Sequence, residues 1–424
     1  MKFNFSKIKR SKDGKVLAQN FAYLSLLKIA GYVFPLITLP YLARVIGTDG
    51  FGKIAFASAI VSWVMTIADW GFNYTATRDV AKNRDDIEKV SSIFSNVLWA
   101  RCILMFASLA VLLILIAIIP KFRNDALIIL LTFLLIPGHI ASPDWFFQAM
   151  EKMKYITILN LLAKLFFTIS IFVIIKSPED YIYHPVLTAG GYILSGVIAF
   201  YIILRQWKIK LYKPSLKQSF ETIKKSTDVF LNNLMPNLYS NFSTILLGFF
   251  GGDVANGLLD AGSKFVGACQ QLLQVIYRTF FPFLSRRIDK HDQFSKISVG
   301  LSVAMSAILF AFAPLIIKLF FTPEFYDSVA VMRIVSISLI FLTLSSTYGT
   351  NYLIIVGREK QLRNITFISS IIGFALSFPL IYYFSYIGAA LTITITRGIL
   401  GLSVYRSAKI HKSNIKKQNE IKVD

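Results

Sequence analysis

Charge is scarce in this sequence, and lopsided where it occurs. Only 16% of the 424 residues are charged, and 23 Asp and Glu stand against 45 Lys and Arg. Soluble domains carry about a quarter of their residues as Asp, Glu, Lys and Arg. A chain that is 55% hydrophobic, with a mean hydropathy of +0.59, therefore does not belong with ordinary water-soluble folds. Cysteine is nearly absent. Cys102 and Cys269 fall in different apolar runs, which argues against a disulfide framework and leaves them as packing residues. The four histidines, His139, His184, His291 and His411, are too scattered for a metal site. Neither a nucleophile elbow nor a pair of catalytic carboxylates occurs. Long polar loops are missing too: no connection exceeds about 20 residues. That leaves no room for a nucleotide-binding domain, or for the loop in which membrane enzymes that build glycans hold acceptor and catalytic groups. No catalytic residue, metal or cofactor is expected.

What recurs along the chain is the apolar run. Each is roughly 20 residues or more, enough to cross about 30 Å of hydrocarbon at 1.5 Å per residue. The runs are continuous rather than alternating, which favours helices over a closed barrel. They lie near residues 20–46, 51–75, 95–119, 125–149, 155–176, 183–205, 227–250, 254–285, 294–321, 327–356, 362–384 and 387–407. The expected fold class is an all-α integral membrane protein of about twelve transmembrane helices. The basic start, Met1 to Lys15, leads into the first run without a small-residue cleavage pattern, so that run reads as an uncleaved helix rather than a signal peptide.

The net charge of +22 would suit nucleic acid if it formed a patch on a soluble fold. Here the basic residues sit between hydrophobic runs, so no nucleic-acid partner is expected. Assigning alternate connections to the cytoplasm puts 32 of the 45 Lys and Arg in cytoplasmic segments, 6 in the others and 7 within spans. That asymmetry over short loops predicts cytoplasmic termini. The expected organisation is a basic tail at 1–19, a six-helix lobe at 20–205, a cytoplasmic linker at 206–226, a second six-helix lobe at 227–407 and a basic tail at 408–424. Two blocks with an even helix count would be related by an axis along the membrane normal. A faint trace of duplication is Gly47-Thr48-Asp49 after the first run and Gly251-Gly252-Asp253 after the seventh.

Gly47-Thr48-Asp49-Gly50-Phe51-Gly52-Lys53 comes close to a phosphate-binding loop. Ile54 replaces the magnesium-holding hydroxyl, however, and no strand precedes it. A glycine-rich turn between helices is the better reading. The informative residues are polar groups inside spans, because an ionisable group in hydrocarbon costs at least about 2.5 kcal/mol unless it finds water or a partner. Asp260, Lys264, Gln271, Gln274 and Arg278 fall within roughly 80° on one helix face at about 100° per residue. A second polar stripe is Ser58, Ser62, Thr66, Asp69 and Asn73, and a third is Asn233, Asn237, Ser240, Asn241 and Thr244. Ser25, Lys28 and Tyr32 add to the first helix, and Arg101, Lys164, Arg333 and Arg397 are further cations within spans. Helix-to-helix bonding accounts for part of these stripes. The excess of intramembrane cations predicts a cationic cavity suited to an anion such as pyrophosphate, which Arg binds bidentately and Lys as a point charge. Asp260, one turn from Lys264, reads as its structural partner. Asp69, with no Lys or Arg within a turn, is the candidate for ion coupling.

Leu39-Pro40-Tyr41-Leu42-Ala43-Arg44-Val45-Ile46-Gly47, Asp69-Trp70-Gly71-Phe72-Asn73 with the following Ala76-Thr77-Arg78-Asp79-Val80-Ala81-Lys82-Asn83-Arg84, and Pro143 to Tyr155 resemble the Wzx-type flippases of bacterial O-antigen and capsule synthesis. These belong to the multidrug, oligosaccharidyl-lipid and polysaccharide exporter superfamily. The second half resembles them more loosely, through Gly252 to Gly257 and Asp260 to Pro282, and has Leu258-Leu259-Asp260 where the family tends to carry a tyrosine-containing turn. The resemblance implies two six-helix lobes around a cationic cavity in the bacterial inner membrane. It also implies a substrate of undecaprenyl pyrophosphate bearing an oligosaccharide repeat unit, with polysaccharide polymerase and chain-length proteins as partners. Carried onto this sequence, the substrate-binding residues are Lys28, Asp69, Lys264, Arg278 and Arg397. Three alternatives stay open: a multidrug antiporter, which would carry more intramembrane acids, a lipid II flippase, which would commonly have further helices, and a membrane glycan polymerase.

Overall fold

The computed structural model describes the backbone of residues 12–213 and 215–421. Side chains are described for these except at 12–22, 24–29, 32–33, 232–233, 236, 282 and 415–421. Among the described residues every regular element is helical. Among the described residues eight spans have the length and hydropathy to cross a membrane: Phe34–Lys82, Ile87–Ile118, Ala126–Ala149, Met153–Ile174, Pro178–Gln206, Ile288–Phe320, Ser328–Ile354 and Glu359–Asn414. Two of the eight contain two helices joined across a single non-helical residue. Gly47 (φ 60°, ψ −172°) divides the Lys12–Asp69 helix, and Ser385 (φ 49°, ψ −129°) divides Glu359–Ile421. The helix Gly252–Arg286 has the length to cross but carries the stripe from Asp260 to Arg278, and it is not among the eight.

Prolines account for most departures from the expected continuous spans. The run expected as one helix over 125–149 is three, Ala126–Phe133, Leu135–Ala141 and Asp144–Ala149, with Pro143 preceding the last. The run expected over 227–250 begins earlier, as Leu216–Leu234. It breaks into a 3-10 turn at Met235–Leu238, where Pro236 has no backbone N–H to give, and resumes as Asn241–Phe250. The polar stripe expected on that span is therefore interrupted between Asn233 and Asn241. Pro35, Pro40, Pro314 and Pro379 lie inside helices, as membrane helices tolerate.

The chain divides into two compact units. One holds the chain up to Ile46 together with Ile60–Leu234, and the other holds Gly47–Ala59 and everything from Met235 onward.

The first unit is packed around an aromatic cluster. Phe94, Trp145, Phe146, Phe147, Tyr155 and Trp207 meet with ring centroids 5.0–6.4 Å apart in edge and stacked pairs. The Leu216–Leu234 helix is fastened to this unit by Trp70 stacked on Phe230 at 3.8 Å and by a 2.7 Å bond between Thr75 and Ser226. Gly71 (φ 78°) allows that approach, since a Cβ there would stand 2.7 Å from the Val229 side chain.

In the second unit two short segments meet reciprocally. A Cβ on Gly52 would lie 1.6 Å from the carbonyl oxygen of Asp253, and one on Gly257 would lie 2.2 Å from that of Thr48. Thr48 stands to Gly52 as Asp253 stands to Gly257, so the contact is self-complementary in the manner of a two-fold interface. Gly47 and Gly252 both have positive φ, 60° and 79°. The structural match thus pairs Gly47 with Gly252, one position away from the Gly251 suggested by sequence. The near-phosphate loop is a helix break and a crossing point. Within it Lys53 pairs with Asp49 at 2.7 Å and Thr48 donates to Glu324 at 3.3 Å.

Replacing Gly52 or Gly257 with Ala is expected to lower stability by ~1–3 kcal/mol, the cost of overpacking a closed contact. Gly267→Ala, with nothing within 4 Å of the added carbon, should leave stability unchanged or raise it. Thermal unfolding in detergent, comparing the three variants, checks the difference.

Candidate functional site

The first unit contains a buried polar network centred on Arg101, which is only 2% exposed. Its Nη2 pairs with Asp69 Oδ1 at 3.0 Å and donates to Asn73 Oδ1 at 2.7 Å. Asn73 donates in turn to Asp69 Oδ2 at 3.4 Å, and His139 Nε2 stands 3.5 Å from the same oxygen. Asp144 receives two bonds from Asn160 Nδ2, at 3.1 and 3.2 Å, and lies within electrostatic reach of both His139 and Arg101. One helix break serves this cluster. The interruption after Ala141 lets the Leu135–Ala141 helix supply His139 and the Asp144–Ala149 helix supply Asp144.

Asp69 thus has a charged partner, contrary to the expectation drawn from its own helix. The partner is 32 positions away on the Ile87–Ile118 helix, beyond the reach of helical spacing. His139, which has no metal-ligand spacing in the sequence, faces the Asp69 carboxylate. The only sequence signal for the cluster was the coincidence of opposite intramembrane charges, which must find each other to be tolerated.

Two of the segments that carry the family resemblance in this unit also meet. Thr77 donates to the Trp145 carbonyl at 3.2 Å, and Arg84 pairs with Glu151 at 3.1 Å, between the Asp144–Ala149 and Met153–Ile174 helices. The Arg84 hydrogen bond, helped by its charge, holds the Glu151 carboxyl below the usual carboxylate range. The pair's contribution is therefore present above the ordinary Glu pKa and is lost as pH falls through the lowered one.

In the second unit Asp260 and Lys264 pair at 2.8 Å, as their spacing predicts. Further along the same face, Gln274 and Arg278 line a cavity of about 450 Å³ with Tyr277, Phe281, Ser346, Thr350 and Ile354. The far wall is a π-helix, Ser345–Ile354, whose wide turns are uncommon and concentrate at functional positions. It is tied to the opposite helix by Asn351 donating to the Tyr277 carbonyl at 3.2 Å, and Tyr277 donates to Thr343 at 2.7 Å. The cavity thus presents one guanidinium, two hydroxyls and an amide beside two aromatic rings, a set that receives an anionic or hydroxyl-rich group. Lys264 and Gln271 are exposed on the same helix. Arg397 donates to Ser338 at 2.9 Å, and its Nε is buried without a partner. Asn241 donates to Asn237 at 2.9 Å. The side chains of Lys28 and Asn233 lie outside the described residues. Among the described residues no group of three or more His, Cys, Asp and Glu could hold a metal ion.

The architecture is that of multi-pass membrane transporters. The lipid II flippase MurJ in an inward closed conformation superposes with a TM-score of 0.73 at 15% identity, covering 92% of this chain and 87% of that one. An inward-facing multidrug resistance transporter of the MATE family, also from the multidrug, oligosaccharidyl-lipid and polysaccharide exporter superfamily, gives 0.66 at 15% identity over 94% and 99%. Residues 17–288 match the family described as "Polysaccharide biosynthesis protein", and the chain belongs to that family. It is similar to an Escherichia coli K12 protein named "Putative O-antigen transporter", 29% identical over 90% of this chain and 94% of that one. A Shigella dysenteriae protein of the same name is 27% identical over 93% and 100%. The chain is a multi-pass membrane protein whose relatives are named as transporters, not enzymes.

Removing one partner of the buried pair, by Asp69→Asn or Arg101→Gln, is expected to destabilise the protein by ~3–5 kcal/mol because the other charge is stranded. The double variant should lose much less than the sum of the two single losses. Denaturation of all four proteins in detergent measures this coupling directly.

Proposed function

We propose that the protein is a flippase that turns undecaprenyl-pyrophosphate-linked oligosaccharide repeat units from the cytoplasmic to the periplasmic leaflet of a bacterial inner membrane, for O-antigen or capsular polysaccharide synthesis. Membership of the polysaccharide biosynthesis family and the transporter names of its relatives support the cargo class. The observation that carries the reading is the cavity at Arg278. A guanidinium, hydroxyls and an amide suit a pyrophosphate and its first sugar, and the aromatic rings suit a sugar face. Counting the halves of the helices broken at Gly47 and Ser385 separately, together with the run over 227–250 and Gly252–Arg286, the chain crosses twelve times. Both termini and the linker then lie in the cytoplasm, where the basic residues concentrate. The reciprocal Gly52 and Gly257 contact supports two duplicated six-helix halves, and movement follows alternating access between them. Lys264 and Arg278 contact the cargo, and Lys28, Asp69 and Arg397 are the further cargo-binding residues that the family resemblance carries over. The structure already gives Asp69 a partner, so in ion coupling it acts together with Arg101 and His139 and not alone. The paired Asp69 and the excess of cations weigh against a carrier of cationic drugs.

The test is export in cells whose own transporter is deleted. Arg278→Ala is expected to cut surface polysaccharide by about tenfold or more at normal protein level, with lipid-linked repeat units accumulating on the cytoplasmic side. Arg278→Lys should recover part of the loss, since charge remains and the bidentate geometry does not. Wild-type export in Arg278→Ala and Lys264→Ala would reassign both residues to packing. Reporter fusions at Lys213 should read as cytoplasmic and at Asp253 as periplasmic.

A further inference from the structure

The connection between the Pro178–Gln206 span and the Asn241–Phe250 helix lies outside the eight apolar spans, yet it is not a loose linker. Its first part runs along the Ile87–Ile118 helix. Ser91 receives the Lys210 amide at 3.0 Å, Ser95 receives the Tyr212 amide at 2.9 Å, and Trp99 Nε1 donates to the Tyr212 carbonyl at 3.0 Å. The Leu216–Leu234 helix that follows has three faces, not two. Ser219, Ser226 and Phe230 turn inward and are buried. Leu216, Phe220 and Leu231 lie within about 60° of one another at 100° per residue and are exposed, the first two at 66% and 60%. Lys217, Lys224 and Lys225 occupy the next arc and are exposed. With Lys208, Lys210 and Lys213, also exposed, the connection presents six lysines against Glu221 and Asp228. Among the described residues none of the six forms an ion pair.

A helix with one face already packed has no internal use for a second apolar face. An exposed apolar strip flanked by lysines, immediately beyond a membrane span, is the arrangement of a helix lying in the headgroup region, with its apolar side chains in the acyl boundary. Its lysines complement anionic phospholipid, to which each basic residue near the surface adds attraction.

We propose that residues 208–213 and 215–231 form a docking surface for anionic phospholipid. Phe220, Leu216 and Leu231 enter the acyl boundary, and the six lysines hold phosphate headgroups. This rests on the chain crossing a bilayer and not on the identity of its cargo.

The test uses the full chain with Cys102→Ala and Cys269→Ala, carrying a fluorophore on Phe220→Cys or, separately, on Glu221→Cys. The proteins are placed in vesicles of phosphatidylcholine with or without one quarter phosphatidylglycerol. In anionic vesicles, aqueous iodide should quench the label at position 220 about fivefold less than the label at 221. The difference should shrink to below about twofold in phosphatidylcholine alone, and likewise for the combined Lys217→Gln, Lys224→Gln and Lys225→Gln variant. The matching Lys→Arg variant should retain it. Equal quenching at 220 and 221 in anionic vesicles would overturn the proposal, as would shielding unaffected by phosphatidylglycerol and by loss of the lysines. Shielding found in native membranes but not in either vesicle would assign the surface to a protein and overturn it equally.

Discussion

A guanidinium that is 2% exposed, on a membrane-spanning helix, stays charged only if a carboxylate is brought to it. Much of the first unit follows from that requirement. Asp69 must reach Arg101, so the Lys12–Asp69 and Ile87–Ile118 helices are held together at that depth. Asn73 and His139 take up the remaining lone pairs of Asp69. The chain after Ala141 breaks, and Asp144 and Asn160 extend the network from two further helices. In a bilayer apolar packing offers little net drive between helices, so such a network does more to fix their arrangement than it would in water.

The second unit depends on close backbone approach instead. Gly52 and Gly257 let two helix starts cross with no side chain between them, and Phe51, Phe321 and Phe325 close around the crossing with centroids 5.0–6.2 Å apart. Small residues at a crossing are the usual means by which membrane helices gain contact. The two units thus use different devices, one ionic and one steric.

Much of this was legible in the sequence. Helical class and span positions follow from run length, because lipid permits few other backbones. The Asp260–Lys264 pair follows from spacing on one helix, and so does the shared face of Gln274 and Arg278. The pairing of Asp69 with Arg101 was not legible, because a single sequence does not say which face of one helix meets which face of another. The stripe from Asn233 to Asn241 misled for a related reason. Periodicity assumes an unbroken helix, and the turn at Met235–Leu238 resets the phase. The match of Gly47 to Gly251 was one residue out, since sequence aligns letters whereas positive φ marks Gly252.

The π-helical stretch Ser345–Ile354 has a consequence for the chain's length at that point. A π-turn closes on i+5, so it holds more residues per turn than the α-helix before it. Loss of any single residue there would let the wide turns relax toward α geometry without breaking the helix. Relaxation to α geometry with all ten residues kept would instead shift the phase by one residue, about 100°, and carry Thr350 and Ile354 off the cavity wall. The site's shape is therefore encoded as a count of residues as much as by which residues they are.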